Sequence, residues 1–282
     1  MSVLTSAEHA FFAENGYLHV PHAVPKKQCA AVVSAMYEFL DFDRRRPDTW
    51  YRPPLKPGNG GMVELYHHQS LWDNRQHPRL HKIFAEILHE KNLHCSLDRV
   101  SMKLPMNPRY PDWVDKGFLH IDVPLPAAND VLPANTPIRL QGVIYLTDTT
   151  ENQGGFHCVP GFNHRLRSWA QTPPSERLPA PPDFSSITPT PVAGGAGDLI
   201  VWDVFLPHGN GLNATPRPRF AQYVLMFPAK DASDQDRSDR VRRWSENLPT
   251  FSGDPRKIEE TSGKAATLTP LGRRLLGLDA WD

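Results

Sequence analysis

The sequence predicts a mainly β fold, either a sandwich or a barrel, with helices packed around it. Two observations carry this prediction. Between residues 93 and 228, short apolar runs alternate with turn residues, which is typical of all-β cores. On both sides of that region, apolar residues recur at the spacing of amphipathic helices. Because no repeat or linker interrupts the chain, we expect one domain over residues 1–282, with N-terminal helices in 1–92, the β core in 93–228 and a helical tail in 229–282.

The predicted helices lie towards the two ends of the chain. The first has a capping residue near Ser6 and a terminating Gly16, and a strand follows it. An apolar segment at 268–281 should dock on the core. Three further helices are predicted in residues 25–42, 77–90 and 233–248.

The predicted strands are short runs of apolar and β-branched residues. Two proline-rich loops, 42–61 and 171–193, interrupt the pattern. Because loops of this length in a compact domain are usually functional or disordered, we expect at least one of them to cover the mouth of the barrel. Trp50, Tyr51, Arg52 and Arg177 are the side chains in these loops that are able to contact a ligand. The predicted strand runs lie in residues 97–104, 117–125, 138–146, 154–160, 197–205 and 219–227.

The composition argues against nucleic acid and membranes as partners. The chain has 31 basic and 31 acidic residues, so it offers no broad electrostatic surface for nucleic acid. It contains no apolar run near the ~20 residues that a membrane span requires. The first residues lack the basic start and long apolar stretch of a signal peptide, and the three cysteines fit reduced thiols. We therefore expect a cytoplasmic protein that acts on a small molecule.

Three residues suggest a metal site. In the run "GFLHIDVPL", strand alternation places His120 and Asp122 on the same face. His208 follows a later apolar run and opens a glycine-containing turn. Two histidines and one carboxylate can form a facial triad that leaves open positions on non-haem Fe(II). A single histidine is more often an ordinary hydrogen-bonded residue, so the hypothesis depends on all three residues together.

The sequence around these residues resembles the phytanoyl-CoA dioxygenase family of Fe(II)- and 2-oxoglutarate-dependent oxygenases. The opening "FFAENGYLHVPHAV" resembles the first helix and strand of the family, and "GFLHIDVPL" resembles its His-x-Asp segment. "LQGVIYLTDTTENQGGFHCVPGFNHR" and "GDLIVWDVFLPHGNGLNATPRPRF" resemble the two segments that follow. The resemblance covers most of residues 6–228 in the same order. It implies a double-stranded β-helix, the jelly-roll or cupin-like barrel.

The resemblance also implies roles for individual residues. His120, Asp122 and His208 would bind Fe(II), and the reaction would consume 2-oxoglutarate and O₂. The family has a cosubstrate-binding arginine eleven residues after the distal histidine, which is Arg219 here. Arg217 is the rival position, and it lies between two prolines. Strand alternation favours Arg219, and a guanidinium suits a bidentate contact with a carboxylate.

Three further residues are candidates for contact with the cosubstrate. Gln141 lies on the polar side of a core strand, which fits a face that lines a wet site or one that is simply solvated. Lys103 is a similar candidate for an anionic ligand. Asn210 stands where family members often carry a small hydroxyl residue, two positions after the distal histidine. We expect the other histidines in this region, His157 and His164, to be structural.

The predicted function is oxidation of a small organic molecule, with hydroxylation favoured and with release of succinate and CO₂. The presence of Asp122 argues against halogenation, because the related halogenases replace this carboxylate with a small residue. The sequence leaves two alternatives open. One is a cupin-type metalloenzyme that does not use 2-oxoglutarate, and the other is a non-catalytic barrel that binds a small molecule.

Overall fold

The structure is a computed structural model that describes residues 2–281. A six-stranded antiparallel sheet with the order β1-β8-β5-β10-β4-β2 forms its centre, beside a three-stranded sheet, β7-β6-β9, and a pair, β11-β3. The strands are β1 (Tyr17–Val20), β2 (Met62–Val63), β3 (Leu93–Cys95), β4 (Val100–Lys103), β5 (Leu140–Tyr145), β6 (Phe156–Cys158), β7 (Thr190–Pro191), β8 (Leu199–Asp203), β9 (His208–Asn210), β10 (Arg219–Val224) and β11 (Met226–Pro228).

Helices precede, interrupt and follow this β core. Thr5 caps the first helix with a capping box, one residue before the predicted cap, and Gly16 ends it in the left-handed conformation. The helices are α1 (Ser6–Asn15), α2 (Lys26–Leu40), α3 (Gln69–Arg75), α4 (Pro78–Leu88), α5 (Phe162–Gln171), α6 (Asp234–Ser245), α7 (Ile258–Ser262) and α8 (Pro270–Leu276).

The six-stranded sheet is buried on both faces, and the two faces differ. One face packs against α2, α3 and α4 in the largest apolar cluster of the protein. The other face contributes Val143, Ile200, Trp202 and Ala221 to a second cluster, which also contains Phe156 of β6. The three-stranded sheet therefore covers the inner face of the central sheet, and the space between the two sheets is the interior of the β core.

The prediction of a mainly β core with flanking helices is confirmed. Five of the six predicted strand runs contain strands, and the apolar tail docks through Leu275 and Leu276, which are fully buried. The boundary at residue 93 does not mark the start of the sheet, because β1 and β2 pair into it from the N-terminal region. The single domain and the double-stranded β-helix remain our interpretations of this topology.

The predicted strand over residues 117–125 is wrong. The structure contains only one bridge there, between His120 and His208. Gly117 turns the chain on one side with a φ of +67°, and Pro124 lacks a backbone N–H on the other. The neighbouring β9 is three residues long, so it offers little length for pairing. The segment is extended but mostly unpaired.

Within residues 2–281, none of the helices has the length and apolar character needed to cross a membrane.

Candidate metal centre

The structure brings His120, Asp122 and His208 together. Each offers one ligand atom, and these three atoms lie within 4.8 Å of one another. Oδ1 of Asp122 is 3.6 Å from Nε2 of His120, and Oδ2 of Asp122 is 3.5 Å from Nε2 of His208. The two imidazoles contact each other, with ring centres 4.5 Å apart. This arrangement joins two distant parts of the chain at one point.

Backbone pairing fixes the register of the two histidines. The amide of His120 donates to the carbonyl of His208, and the reverse bond completes the bridge, both at 2.9 Å. Along the same segment, Leu119 and Ile121 pack against an apolar cluster on α5. Alternation therefore sends His120 and Asp122 to the other side, as the sequence predicted, although the segment is not a regular strand.

Both imidazoles present the same nitrogen to the centre. Nδ1 of His208 lies 2.9 Å from the carbonyl oxygen of Leu206, and Nδ1 of His120 lies 3.5 Å from that of Phe118. A carbonyl accepts only, so Nδ1 carries the proton and Nε2 keeps its lone pair for a metal. Burial lowers the pKa of His120, and the neighbouring His208 lowers it further. Both effects favour the neutral form that binds metal.

Two residues of the central sheet orient the carboxylate of Asp122. The indole N–H of Trp202 donates to Oε1 of Gln141 at 3.0 Å, and Nε2 of Gln141 donates to Asp122 at 2.9 Å. Because an indole can only donate, the Gln141 oxygen must face Trp202 and its amide nitrogen must face Asp122. Interaction with the His208 imidazole and then the hydrogen bond from Gln141 lower the pKa of Asp122 to about 2. The carboxylate is therefore ionised at neutral pH.

A cavity of about 420 Å³ opens beside these residues. Asn210 and Tyr223 form part of its wall, and the amide of Asn210 donates to the Tyr223 hydroxyl at 3.2 Å. Beyond the three metal-ligand candidates, the wall includes Asp98, Arg99 and the half-exposed Phe251. The cavity thus combines a metal-binding end with an end that carries other charged and aromatic groups.

Arg219 is fully buried next to this region. Its Nε donates to the carbonyl of Gly154 at 3.0 Å and its Nη1 to the hydroxyl of Ser101 at 2.5 Å, while Nη2 has no partner. It faces the same side of β10 as Tyr223. Arg217 is exposed, and it forms hydrogen bonds through its backbone, whose carbonyl accepts from Asn213 and Thr215 and whose amide donates to the Thr215 hydroxyl. The structure therefore separates the two arginines, because Arg219 begins β10 whereas Arg217 precedes the strand between two prolines.

Lys103 lies directly opposite Arg219 in the strand register. Its Nζ is 3.3 Å from a carboxylate oxygen of Asp115 and 3.5 Å from the carbonyl of Asn210. Burial lowers the pKa of Lys103 to about 8, while Asp115 opposes that shift. Neither Lys103 nor Arg219 is among the residues that line the 420 Å³ cavity.

Several residues that the sequence singled out lie elsewhere. His157 points away from the inner cluster between the two sheets, and His164 contacts the carbonyl of Glu14 at 3.1 Å. Neither proline-rich loop contributes to the cavity wall, so the expected lid over the barrel mouth is not found. Tyr51 contacts the carbonyl of Pro105 instead, and Trp50 is buried in the outer core.

The sequence analysis missed Trp202, Asp98 and Arg99. Alternation in "GDLIVWDVF" would have placed Trp202 on the inner face, but nothing in the sequence indicates that its indole contacts Gln141. Asp98 and Arg99 stand at the start of β4, where no motif marks them.

Comparisons with known proteins identify a family to which the sequence is similar. A family model described as phytanoyl-CoA dioxygenase (PhyH) matches residues 12–221. A Dictyostelium discoideum protein named after the same family is 23% identical, and the alignment covers 96% of this chain and 86% of that protein.

Two solved structures are similar to the chain as a whole. The non-haem α-ketoglutarate-dependent carbocyclase SnoK from nogalamycin biosynthesis is 20% identical, with a TM-score of 0.55, over 80% of this chain and 85% of that chain. The epimerase SnoN, solved with Fe³⁺, α-ketoglutarate and nogalamycin RO, is 17% identical, with a TM-score of 0.56, over 93% and 94%. At these identities the likeness shows a shared fold. Since the family model spans most of the chain, the protein belongs to the phytanoyl-CoA dioxygenase family of Fe(II)- and 2-oxoglutarate-dependent dioxygenases.

Proposed function

We propose that this dioxygenase hydroxylates a small organic molecule and that His120, Asp122 and His208 hold its iron. The observation that carries the proposal is the convergence of two Nε2 atoms and one carboxylate beside an accessible cavity. We interpret the two facing sheets as a double-stranded β-helix, with this centre between them.

The donor set fits Fe(II). Two imidazoles and one carboxylate on one side of a metal leave the remaining positions free, as in non-haem iron oxygenases. The carbonyls of Leu206 and Phe118 and the amide of Gln141 are the outer partners that hold such ligands in place. Bound iron with 2-oxoglutarate and O₂ would supply an oxidant strong enough to attack a C–H bond. The protein contributes orientation of the substrate and exclusion of water.

Arg219 fits the distal carboxylate of 2-oxoglutarate. It is a buried cation with an unpartnered Nη2, and a buried donor without a partner costs about 1–3 kcal/mol. A carboxylate bound at Nη2 would remove that cost and form a charge-assisted bond. Asn210 and Tyr223 line the same cavity as the metal-ligand candidates, so we propose that they contact the cosubstrate as well.

The other end of the cavity is available to the substrate. Asp98 and Arg99 place ionisable groups there; burial raises the pKa of Asp98, and Nη1 of Arg99 is held at 2.6 Å by Glu64. We therefore propose a substrate with polar groups. The related fold serves a carbocyclase and an epimerase, so the fold does not fix the outcome at the substrate carbon. Asp122 occupies a position that a halide would need, which argues against halogenation, and among the remaining outcomes we propose hydroxylation.

Reconstitution under anaerobic conditions tests the proposal. The purified protein should bind one Fe(II) per chain, and each alanine variant of His120, Asp122 and His208 should lose most of its iron. Addition of 2-oxoglutarate and O₂ should then produce succinate, and a panel of small molecules should identify those that raise succinate above the uncoupled background. Full iron occupancy in all three variants would refute the ligand assignment. Substrate turnover without succinate would favour the metalloenzyme that does not use 2-oxoglutarate.

A further inference from the structure

We infer that Lys103 is a positioning residue that ties the two ligand-bearing segments together through Asp115 and the carbonyl of Asn210. This inference rests on the proposed metal site. It assigns Lys103 to the support of the metal ligands, in place of the cosubstrate contact that the sequence suggested.

The geometry joins both halves of the site at one ammonium group. Asp115 lies five residues before His120, on the segment that carries two ligand candidates. Asn210 lies two residues after His208, on the strand that carries the third. Nζ of Lys103 is 3.3 Å from the Asp115 carboxylate and 3.5 Å from the Asn210 carbonyl, and the Lys103 side chain is only 3% exposed.

The same two partners also meet directly at Gly117. The second oxygen of Asp115 accepts the amide of Gly117 at 2.8 Å, which turns the chain at that point. A Cβ on Gly117 would come within 1.7 Å of the Asn210 carbonyl oxygen, so only glycine allows this approach. The contacts among Lys103, Asp115 and Gly117 therefore form one connection, which we call the joint. Gly117 lies three residues before His120.

This joint matters because regular secondary structure contributes little to fixing the segment, although its apolar side chains pack on α5. Residues 105–139 contain one short 3₁₀ turn and no strand, and they pair with the sheet only at the bridge of His120. A carboxylate and an ammonium that are mostly out of water interact more strongly than an exposed pair. Loss of either partner leaves the other charge poorly compensated. We expect the segment to lose its fixed position when the pair is broken.

A cosubstrate role for Lys103 is the competing explanation. Lys103 stands opposite Arg219, and two adjacent buried cations would attract an anion. Asp115 already compensates the charge of Lys103, however. Arg219 has the unpartnered nitrogen and Lys103 does not.

Metal affinity separates the two explanations. We would titrate Co(II) into wild type, Lys103→Met, Asp115→Asn and the double variant, and follow the visible absorption of the bound metal. Each single variant should weaken Co(II) binding roughly 10-fold or more, as outer partners of metal ligands do. The double variant should bind Co(II) no more weakly than the weaker-binding single variant, because both substitutions remove the same ion pair. The dissociation constant for 2-oxoglutarate, measured at saturating Co(II), should stay within about twofold of wild type in Asp115→Asn.

Two outcomes would overturn the inference. One is wild-type Co(II) affinity in Asp115→Asn, which keeps the size and the Gly117 contact and removes only the charge. The other is a Lys103→Met protein that binds Co(II) normally but binds 2-oxoglutarate 10-fold more weakly. Failure of the wild-type protein to bind any metal would instead refute the proposed function. Circular dichroism of each variant would show whether it folds. If Lys103→Met does not fold, Asp115→Asn still tests the inference, because Asp115 is the more exposed partner of the pair.

Discussion

Gln141 has one orientation that satisfies both of its neighbours. Trp202 can only donate and the ionised Asp122 can only accept, so the amide is fixed between them. The carboxylate of Asp122 is half-exposed, and this bond is the one that holds it from the side of the central sheet. We therefore propose that Gln141 supports the metal-ligand candidate Asp122 and does not contact the cosubstrate.

Removal of this support should weaken the metal site. We expect Gln141→Leu to reduce Fe(II) affinity or succinate formation by roughly 10- to 100-fold, because Asp122 loses the donor that orients it. Trp202→Phe should have a smaller effect in the same direction, since Gln141 keeps its bond to Asp122 but loses its own anchor. Iron titration under anaerobic conditions and succinate assays provide the measurement. Equal iron affinity in Gln141→Leu and wild type would show that Asp122 needs no such support.

Arg219 and Arg217 offer a matched pair for the cosubstrate. The two residues have the same side chain two positions apart, but one is buried and the other is exposed. Loss of a charge-assisted contact costs about 1.5–3 kcal/mol, so Arg219→Ala should raise the dissociation constant for 2-oxoglutarate by roughly 10- to 150-fold. Arg217→Ala should leave it unchanged. A larger effect in Arg217→Ala would reverse the assignment.

The segment that carries His120 and Asp122 shows what a single element can and cannot reveal in its sequence. Alternation in "GFLHIDVPL" correctly placed the two polar side chains opposite Leu119 and Ile121. It could not show that the segment pairs with the sheet at one residue only, because strand pairing depends on a partner that is distant in the sequence. The apolar run of the segment arises from packing on α5 and not from a strand within a sheet.

The second proline-rich loop braces this segment from the outside. Arg177 donates to the carbonyls of Ala127, Ala128 and Asp130, at 2.6–2.9 Å, and its guanidinium lies over the ring of Trp169. The loop was expected to grip a ligand near the barrel mouth. Arg177 of this loop instead contacts the backbone that follows the metal-ligand candidates. The length of the loop allows Arg177 to reach that backbone.

Loss of Arg177 should loosen the braced backbone without affecting the core. We expect faster hydrogen exchange at the amides of Asp130 and Leu132 in Arg177→Ala, because their surroundings lose three bonds. Arg165→Ala is a matched control, since Arg165 stacks on Phe162 and has no bond to residues 127–130. The melting temperature should change little in either variant, because neither arginine is buried. Unchanged exchange in Arg177→Ala would mean that α5 alone holds this backbone.

For the molecule as a whole, the sequence predicted the β core, the flanking helices and the identity of three converging residues. The resemblance of the motifs to the family predicted the order of the elements, and strand alternation predicted the side-chain directions of Arg219 and Gln141. The joint of Lys103, Asp115 and Gly117 was not predictable, since its members are distant in the sequence and each is ordinary when taken alone. The distribution of buried histidines was equally hidden, because a histidine in a sequence carries no mark of burial.

Those buried histidines predict how the stability of the whole protein depends on pH. Burial lowers the pKa of both His67 and His94 to about 4, from an ordinary value of 6.5, and the nearby Arg240 adds to the effect at His94. Between pH 4 and 6.5 each histidine therefore takes up a proton when the protein unfolds. The free energy of unfolding should rise with pH across this range, by up to about 1.4 kcal/mol per pH unit for each histidine.

Glu259 acts in the opposite direction. Burial raises its pKa to about 7 from an ordinary 4.5, although the backbone amides of Tyr66 and His67 donate to it. Between pH 4.5 and 7 it releases its proton on unfolding, which lowers the free energy of unfolding as the pH rises. His157, whose pKa burial also lowers to about 4, acts in the same direction as His67 and His94. Three histidines outweigh one glutamate, so the net stability of the metal-free protein should increase from pH 4.5 to 6.5.

Denaturant unfolding of the metal-free protein at several pH values measures this net slope, and two variants separate its parts. His94→Gln removes one proton uptake and should flatten the rise by up to about 1.4 kcal/mol per pH unit. Glu259→Gln removes the opposing group and should steepen the rise by a similar amount. The slopes can be compared even if a variant is less stable overall, because each is measured within one protein. Slopes that stayed unchanged in the two variants would show that His94 and Glu259 titrate in the folded protein as they do in the unfolded chain. A wild-type stability that fell between pH 4.5 and 6.5 would contradict the predicted net slope.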